Sequence, residues 1–172
     1  SAGKAVPRAE LKIIGQDGKE VEVGQIGEII ARGPQIMKGY FKNPEATAEK
    51  IKDGWYHTGD LGRFDEDGYL YILGRADDMI ISGGLNVYPS EVETVLLNHP
   101  KVQEAVAVGV PDAKRGQVIR AIVVLKPGET ATRREILSFC KKRLASFKMP
   151  RQLEFRDSLP KSSTGKIVKR QL

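Results

Sequence analysis

The sequence predicts an α+β protein in two parts, a mostly β first half and a second half in which helices pack on a small sheet. Three observations predict this. Before Gly74-Arg75, apolar and polar side chains alternate in short runs separated by turn residues. After it, apolar residues recur at helical intervals behind pairs with capping-box spacing. Two β-rich runs, Val102 to Val110 and Val118 to Leu125, lie between those helical stretches.

Taken in order, Glu10-Leu11-Lys12-Ile13-Ile14 alternates, Gln16-Asp17-Gly18-Lys19 is turn chemistry, and Val21-Glu22-Val23 alternates again, which predicts a hairpin. Gly27 to Arg32 reads as a further strand, and Pro44 to Ile51 as a short helix with proline in its first turn. Leu61 to Phe64 and Tyr69 to Leu73 flank Asp65-Glu66-Asp67-Gly68, a second hairpin whose final glycine can take the positive φ the loop needs. The boundary between halves falls near Asp77-Asp78. Ser90 and Glu93 have capping-box spacing ahead of Val92, Val95 and Leu96, and Thr132 with Glu135 opens a second helix whose Ile136, Phe139, Cys140 and Leu144 share one face.

Composition narrows the class. With 40% hydrophobic and 29% charged residues the chain is ordinary for a soluble globular protein, and its longest apolar runs, such as Ala121 to Leu125, are far too short to cross a bilayer. No secretory signal is visible in Ser1 to Pro7, and the single cysteine, Cys140, cannot form an internal disulfide. Both point to the cytoplasm. The net charge of +6 is uneven: residues 141–172 hold ten Lys or Arg against Glu154 and Asp157, so this tail is +8 and the first 140 residues sum to −2. Such a tail suits nucleic acid, anionic lipid or a phosphorylated small molecule, or it is a solvated basic face. Phe147 and Phe155, its only aromatics, sit in no stacking motif, which argues against nucleic acid.

Three segments carry chemistry. In Trp55-Tyr56-His57-Thr58-Gly59-Asp60 the Asp60 carboxylate can accept from two hydroxyls at once; this segment alone favours an aspartate bonding its own turn beside Gly59, and the other segments together reverse that. His57 has no nucleophile or orienting partner nearby and is read as structural. From Gly74 to Glu93, Arg75 offers a fixed guanidinium fork, and paired Gly83 and Gly84 after Ser82 allow either a ligand's close approach or simply a tight turn. The run Leu159-Pro160-Lys161-Ser162-Ser163-Thr164-Gly165-Lys166 is no phosphate-binding P-loop, because Pro160 stands where glycine is needed and Ile167 where Ser or Thr is.

In the order and spacing of these segments, with Gly27 to Ile29 and Gly39 to Thr47, the whole chain resembles the adenylate-forming (AMP-binding) superfamily of acyl-CoA synthetases, peptide-synthetase adenylation domains and firefly luciferase. The resemblance implies a β-barrel subdomain over 1–76, closing a larger N-terminal domain, and a mobile α+β C-terminal domain over 77–172 that turns about a hinge at Asp77. It implies that Asp60 holds the ATP ribose, that Arg75 bonds ribose or phosphate, and that Lys166 is the catalytic lysine, contacting the acyl carboxylate and the phosphate oxygens of ATP. Ser82, Gly83 and Gly84 would line the path of the coenzyme A pantetheine arm, with Lys148 and Arg151 at its phosphates. No metal ligand is implied here, Mg²⁺ arriving with ATP. Asn86 stands where peptide-synthetase domains usually carry arginine, which favours free coenzyme A over a carrier protein and a fatty or small dicarboxylic acid, of malonyl type, as substrate. The family's Ser/Thr/Gly-rich phosphate loop and acyl pocket lie upstream of these segments, so the chain is expected to be part of an enzyme and inactive alone. The partners expected are the missing N-terminal domain and a carboxylic acid, with no nucleic acid, and peripheral membrane contact stays open. The alternatives are an adenylation domain serving a carrier protein and a non-catalytic nucleotide- or nucleic-acid-binding module.

Overall fold

The computed structural model describes residues 1–172. It divides into two compact units, Ser1–Asp77 and Asp78–Leu172.

The first unit is a five-stranded antiparallel half-barrel. Strands β1 (Glu10–Ile14), β2 (Gly27–Arg32), β4 (Trp55–Phe64) and the two-residue β3 (Ile51–Lys52) lie side by side in the order β1-β2-β4-β3, and β5 (Leu70–Arg75) pairs with β4. Ile13, Ile29 and Leu70 form its buried core, with Leu11, Val21 and Phe64 packed against them. The expected hairpin at Asp65–Gly68 is present: Gly68 has φ of 76°, and the Asp65 side chain accepts from the amides of Asp67 and Tyr69. Helix α1 (Pro44–Lys50) is capped by Asn43, whose side chain accepts from the Ala46 amide at 3.0 Å.

The first expected hairpin is different. After the Gln16–Lys19 turn the chain runs beside β1 only through the Ile14–Glu20 bridge and the Val21 amide bond to Ile13, then leaves at Gly24. Val23 is 64% exposed and has no core to enter, so nothing extends this pairing, whereas β2 pairs with the full length of β1 on its other edge and buries Ile29, Ile30 and Ala31.

The second unit is α+β. Strands β8 (Val102–Asp112) and β9 (Gly116–Leu125) form a long antiparallel pair; β10 (Gln152–Phe155) runs parallel to β9, and the hairpin of β6 (Ile80–Ser82) and β7 (Leu85–Val87) joins β9 through Ser82 and Gly116. Alternate residues of β8 and β9 face opposite ways. Ala105, Ala107, Ile119, Ala121 and Val123 meet Val92 and Leu96 of helix α2 (Pro89–Leu97) and Ile136 and Cys140 of helix α3 (Arg133–Lys141). On the other face Val106, Ile122 and Val124 are covered by Leu159, Ile167 and Leu172. Both faces are therefore dry, which is why β9 reads as an almost unbroken apolar run. The C-terminal segment does on one face what two helices do on the other.

Caps differ from expectation at α2. Its N-cap is Tyr88, whose side chain makes no capping bond, and Pro89 rather than Ser90 begins the helix. Glu93 accepts from the Ala107 amide of β8 at 3.0 Å. At α3 the Thr132 hydroxyl accepts from the Glu135 amide as the spacing predicts. No helix is long and apolar enough to cross a membrane.

Candidate functional site

In the first unit, the ladder between β2 and β4 shifts register between Glu28 and Ile30, so that Thr58, Gly59 and Asp60 stand opposite Ile29 alone. A second shift between Leu61 and Gly62 leaves one extra residue, Leu73, in β5. Bulges of this kind re-aim side chains out of the ladder. Here they free the Thr58-Gly59-Asp60 backbone, and side chains take over its hydrogen bonding. Glu28 accepts from the Gly59 amide at 3.1 Å, and the Thr58 hydroxyl accepts from the Asp60 amide at 3.0 Å while donating to the Ile29 carbonyl at 2.7 Å. The other Glu28 oxygen lies 3.1 Å from His57 Nδ1, so His57 is held in a structural contact.

Gly59 sits at φ of 72°, and a Cβ there would come within 3.2 Å of the Arg75 guanidinium. Arg75 is opposite Asp60 in register; its Nη1 donates to Asp60 Oδ1 and to the Thr58 carbonyl, both at 3.3 Å. The Asp60 side chain is 35% exposed and that of Arg75 50%, leaving acceptor and donor capacity for a ligand. Tyr56 lies beside them: its hydrogen bond with Tyr40 pushes the phenol above its ordinary range, helped by burial and by the Asp60 carboxylate. Asp77 is exposed in a 3-10 turn, Ala76–Asp78.

In the second unit, Gly83 and Gly84 are the two turn residues between β6 and β7, with φ of 61° and 80°. Two successive positive φ values define the tight hairpin turn that matches strand twist, so the backbone alone demands glycine-like residues. The Gly83 amide donates to the Arg115 carbonyl at 2.9 Å, and no atom lies within 4 Å of where a Cβ on Gly84 would be. Ser82 is buried, while Ile81, Leu85 and Asn86 are exposed. Strand β7 runs beside the 3-10 turn Ser146–Lys148. Lys148 there is committed to Glu91 of α2 at 2.8 Å, and the second Glu91 oxygen is buried without a partner. Arg151 is exposed, its amide tied to the Ile119 carbonyl.

Lys166 lies on a small hairpin closed by the Lys161–Ile167 bridge. The Ser162 amide donates to the Lys166 carbonyl at 2.8 Å, the Gly165 amide to the Ser162 carbonyl at 2.9 Å, and Gly165 turns the chain at φ of 80°. The neighbouring lysines are paired. Lys161 meets Glu104 of β8 at 2.8 Å, and Lys169 meets Glu93 at 3.0 Å and Asp78 at 3.7 Å. The Lys166 ammonium has no hydrogen bond or ion pair and projects from an exposed position. Of the lysines at 161, 166 and 169, only this one is uncommitted.

Sequence reading missed Glu28, Tyr40, Glu91 and Lys169. Glu28 precedes Gly59 by 31 positions and Glu91 precedes Lys148 by 57, so no local pattern announces either contact.

The sequence pattern of the AMP-binding enzyme C-terminal domain matches residues 91–166, and that of the AMP-binding enzyme domain matches residues 1–41. A long-chain-fatty-acid–CoA ligase of Escherichia coli O157:H7 is 48% identical over all 172 residues, which make up 30% of its length. Among solved structures, o-succinylbenzoate CoA synthetase (MenE) from Bacillus subtilis, in complex with its acyl-adenylate intermediate, superposes with a TM-score of 0.94 at 43% identity, over 99% of this chain and 35% of that one. ATP-bound MatB from Rhodopseudomonas palustris superposes with a TM-score of 0.93 at 40% identity, over 98% and 34%. The chain thus spans about a third of the relatives it matches. On two matched domain patterns and near-complete structural superposition, the chain belongs to the AMP-binding enzyme family.

Proposed function

We propose that this chain supplies the C-terminal part of an ATP-dependent, AMP-forming acyl-CoA ligase, with residues 1–76 completing a larger N-terminal domain, residues 77–172 moving as the C-terminal domain, and Asp77 as the hinge. The observation that carries the reading is the uncommitted Lys166 on its fastened hairpin, in a family whose solved members include ATP-bound and acyl-adenylate complexes. In the first step a carboxylate oxygen attacks the α-phosphorus of ATP, the bond to the bridging oxygen breaks and pyrophosphate leaves. Lys166 stands between two anions that repel one another and offsets the charge that builds on the phosphate oxygens. Asp60 accepts from the ribose hydroxyls, and Arg75 fixes the Asp60 carboxylate while reaching ribose or phosphate. In the second step the coenzyme A thiolate attacks the acyl carbon and AMP leaves, the pantetheine arm passing Ser82, Gly83 and Gly84.

Lys148 is a weaker candidate for the phosphates of coenzyme A than Arg151, because Glu91 already neutralises it. Mg²⁺ accompanies the ATP phosphates and is assigned no ligand in this chain. A fatty acid as substrate and free coenzyme A as acceptor are supported by the fatty-acid–CoA ligase relative and by Asn86, and a cytoplasmic setting by the single free thiol of Cys140. The complete enzyme is expected to release pyrophosphate and form acyl-CoA with ATP, Mg²⁺, coenzyme A and long-chain fatty acids, and the 172-residue chain alone to do neither. Acyl-adenylate formation by the isolated chain would overturn the division of labour, and transfer to a phosphopantetheinyl carrier protein in preference to coenzyme A would overturn the acceptor.

A further inference from the structure

The hairpin bearing Lys166 must arrive at the reacting atoms as a unit, since its own lysine is held by nothing. What holds the hairpin is therefore decisive. Its base closes where the Val168 amide donates to the Pro160 carbonyl at 2.9 Å, and the next residue is Lys169. The Lys169 ammonium lies 3.0 Å from Glu93 Oε1 and 3.7 Å from Asp78 Oδ2, on a side chain only 26% exposed. Glu93 is itself oriented beforehand, because the same oxygen accepts from the Ala107 amide of β8. Asp78 follows the proposed hinge residue directly. Lys169 thus joins three things at one ammonium: the catalytic hairpin, the helix-to-sheet contact of the C-terminal domain, and the carboxylate of Asp78 beside the proposed hinge.

We infer that Lys169 is a positioning residue for Lys166, which sets the hairpin for adenylation by tying its base to Glu93 and to hinge-adjacent Asp78. The inference rests on the reading of Lys166 given above. Lys161, on the facing strand of the hairpin and paired with Glu104, holds it to β8 alone, whereas Lys169 reaches both Glu93 and the side chain of Asp78. Asp78, Glu93 and Lys169 all belong to the second unit, so the footing of the hairpin travels with the C-terminal domain.

The test compares Lys169→Met, Lys169→Arg and Lys166→Ala in the complete enzyme, measuring pyrophosphate release in the first half-reaction and thioester formation from supplied acyl-adenylate in the second. Lys169→Met is expected to slow adenylation about tenfold to a hundredfold, the scale of a misplacement near 1 Å, and to leave thioester formation unchanged. Lys169→Arg, which keeps the charge, restores adenylation to within about threefold of wild type, a difference near 0.7 kcal/mol at about 1.4 kcal/mol per tenfold. In the 172-residue chain, Lys169→Met should speed hydrogen exchange at the Ser162 and Gly165 amides while Ile122 exchanges as before, which separates a loosened hairpin from a destabilised domain. Unchanged adenylation in Lys169→Met, equal loss in both half-reactions, failure of Lys169→Arg to restore, or wild-type exchange at Ser162 and Gly165 would each overturn the inference. Full adenylation in Lys166→Ala is a different failure, since it removes the role of Lys166 on which the inference stands.

Discussion

Replacing Lys166 with alanine separates chemistry from folding unusually cleanly, because the ammonium removed is bonded to nothing. Its backbone bonds, the carbonyl accepting from the Ser162 amide and the amide donating to the Ser162 hydroxyl, are retained by alanine. No buried surface, cap or ion pair is lost, so the change in folding stability should stay within about 0.5 kcal/mol. For a chain of 172 residues that corresponds to a shift of about 1 to 2 °C in Tm. Loss of a preorganised charge at a developing anion costs about 2.7 to 4 kcal/mol of barrier, or a hundredfold to a thousandfold in rate. Calorimetry of the 172-residue chain gives the first quantity; pyrophosphate release by the complete enzyme gives the second. A Tm drop of many degrees would show that Lys166 has a structural duty absent from its surroundings, and equal losses in both half-reactions would remove its assignment to adenylation.

Three other outcomes are expected. Asp60→Ala should raise the KM for ATP by tenfold or more, the loss of hydrogen bonds to a charged acceptor being about 1.5 to 3 kcal/mol, without changing the KM for the acid; an unchanged ATP response would return Asp60 to its turn. At Gly84, φ of 80° imposes a similar backbone cost on alanine and leucine, about 1 to 2 kcal/mol, so both variants should lose similar stability, and only Gly84→Leu should also block thioester formation. Equal thioester rates in the two would end its tunnel role. The third concerns pH. Burial lowers the pKa of His99, against the opposing pull of Glu135 and with Lys101 and Arg143 adding to the depression. The unfolded chain therefore binds the proton more tightly, and stability present above the ordinary histidine range, near 6.5, is lost as pH falls through it toward the folded value. Denaturation of the 172-residue chain between about pH 8 and pH 5 should show this slope, and His99→Gln should flatten it.

What the sequence made legible was local. The Asp65–Gly68 turn, the strands Gly27–Arg32, β8 and β9, and the Thr132 cap each depend on residues within a few positions of one another, and each stands where it was expected. Val21 to Val23 alternates as a strand should but follows β1 only as far as Val21, because Val23 finds no core and stays exposed. Ser90 and Glu93 had the right spacing for a capping box, yet the Glu93 carboxylate found a backbone amide on β8, fourteen positions away. Family membership was legible because motifs such as Thr58-Gly59-Asp60 and Gly165-Lys166 are contiguous. The supports around them were not. Glu28, Glu91 and Lys169 act through partners 31, 57 and 76 positions away, and such contacts exist only once the sheets have formed.

The register shift at Thr58-Gly59-Asp60 also governs which kinds of sequence change the first unit can absorb. Because three residues span the space of one, the strand on either side of them is correctly phased only while that count is kept. Deleting a single residue there would rotate every later side chain of β4 to the opposite face, sending the side chains that now approach the Ile13–Ile29–Leu70 core into solvent. Substitutions at the rim cost a contact or two. A change of length costs the phase of the strand, so this stretch should accept altered letters far more readily than an added or missing one.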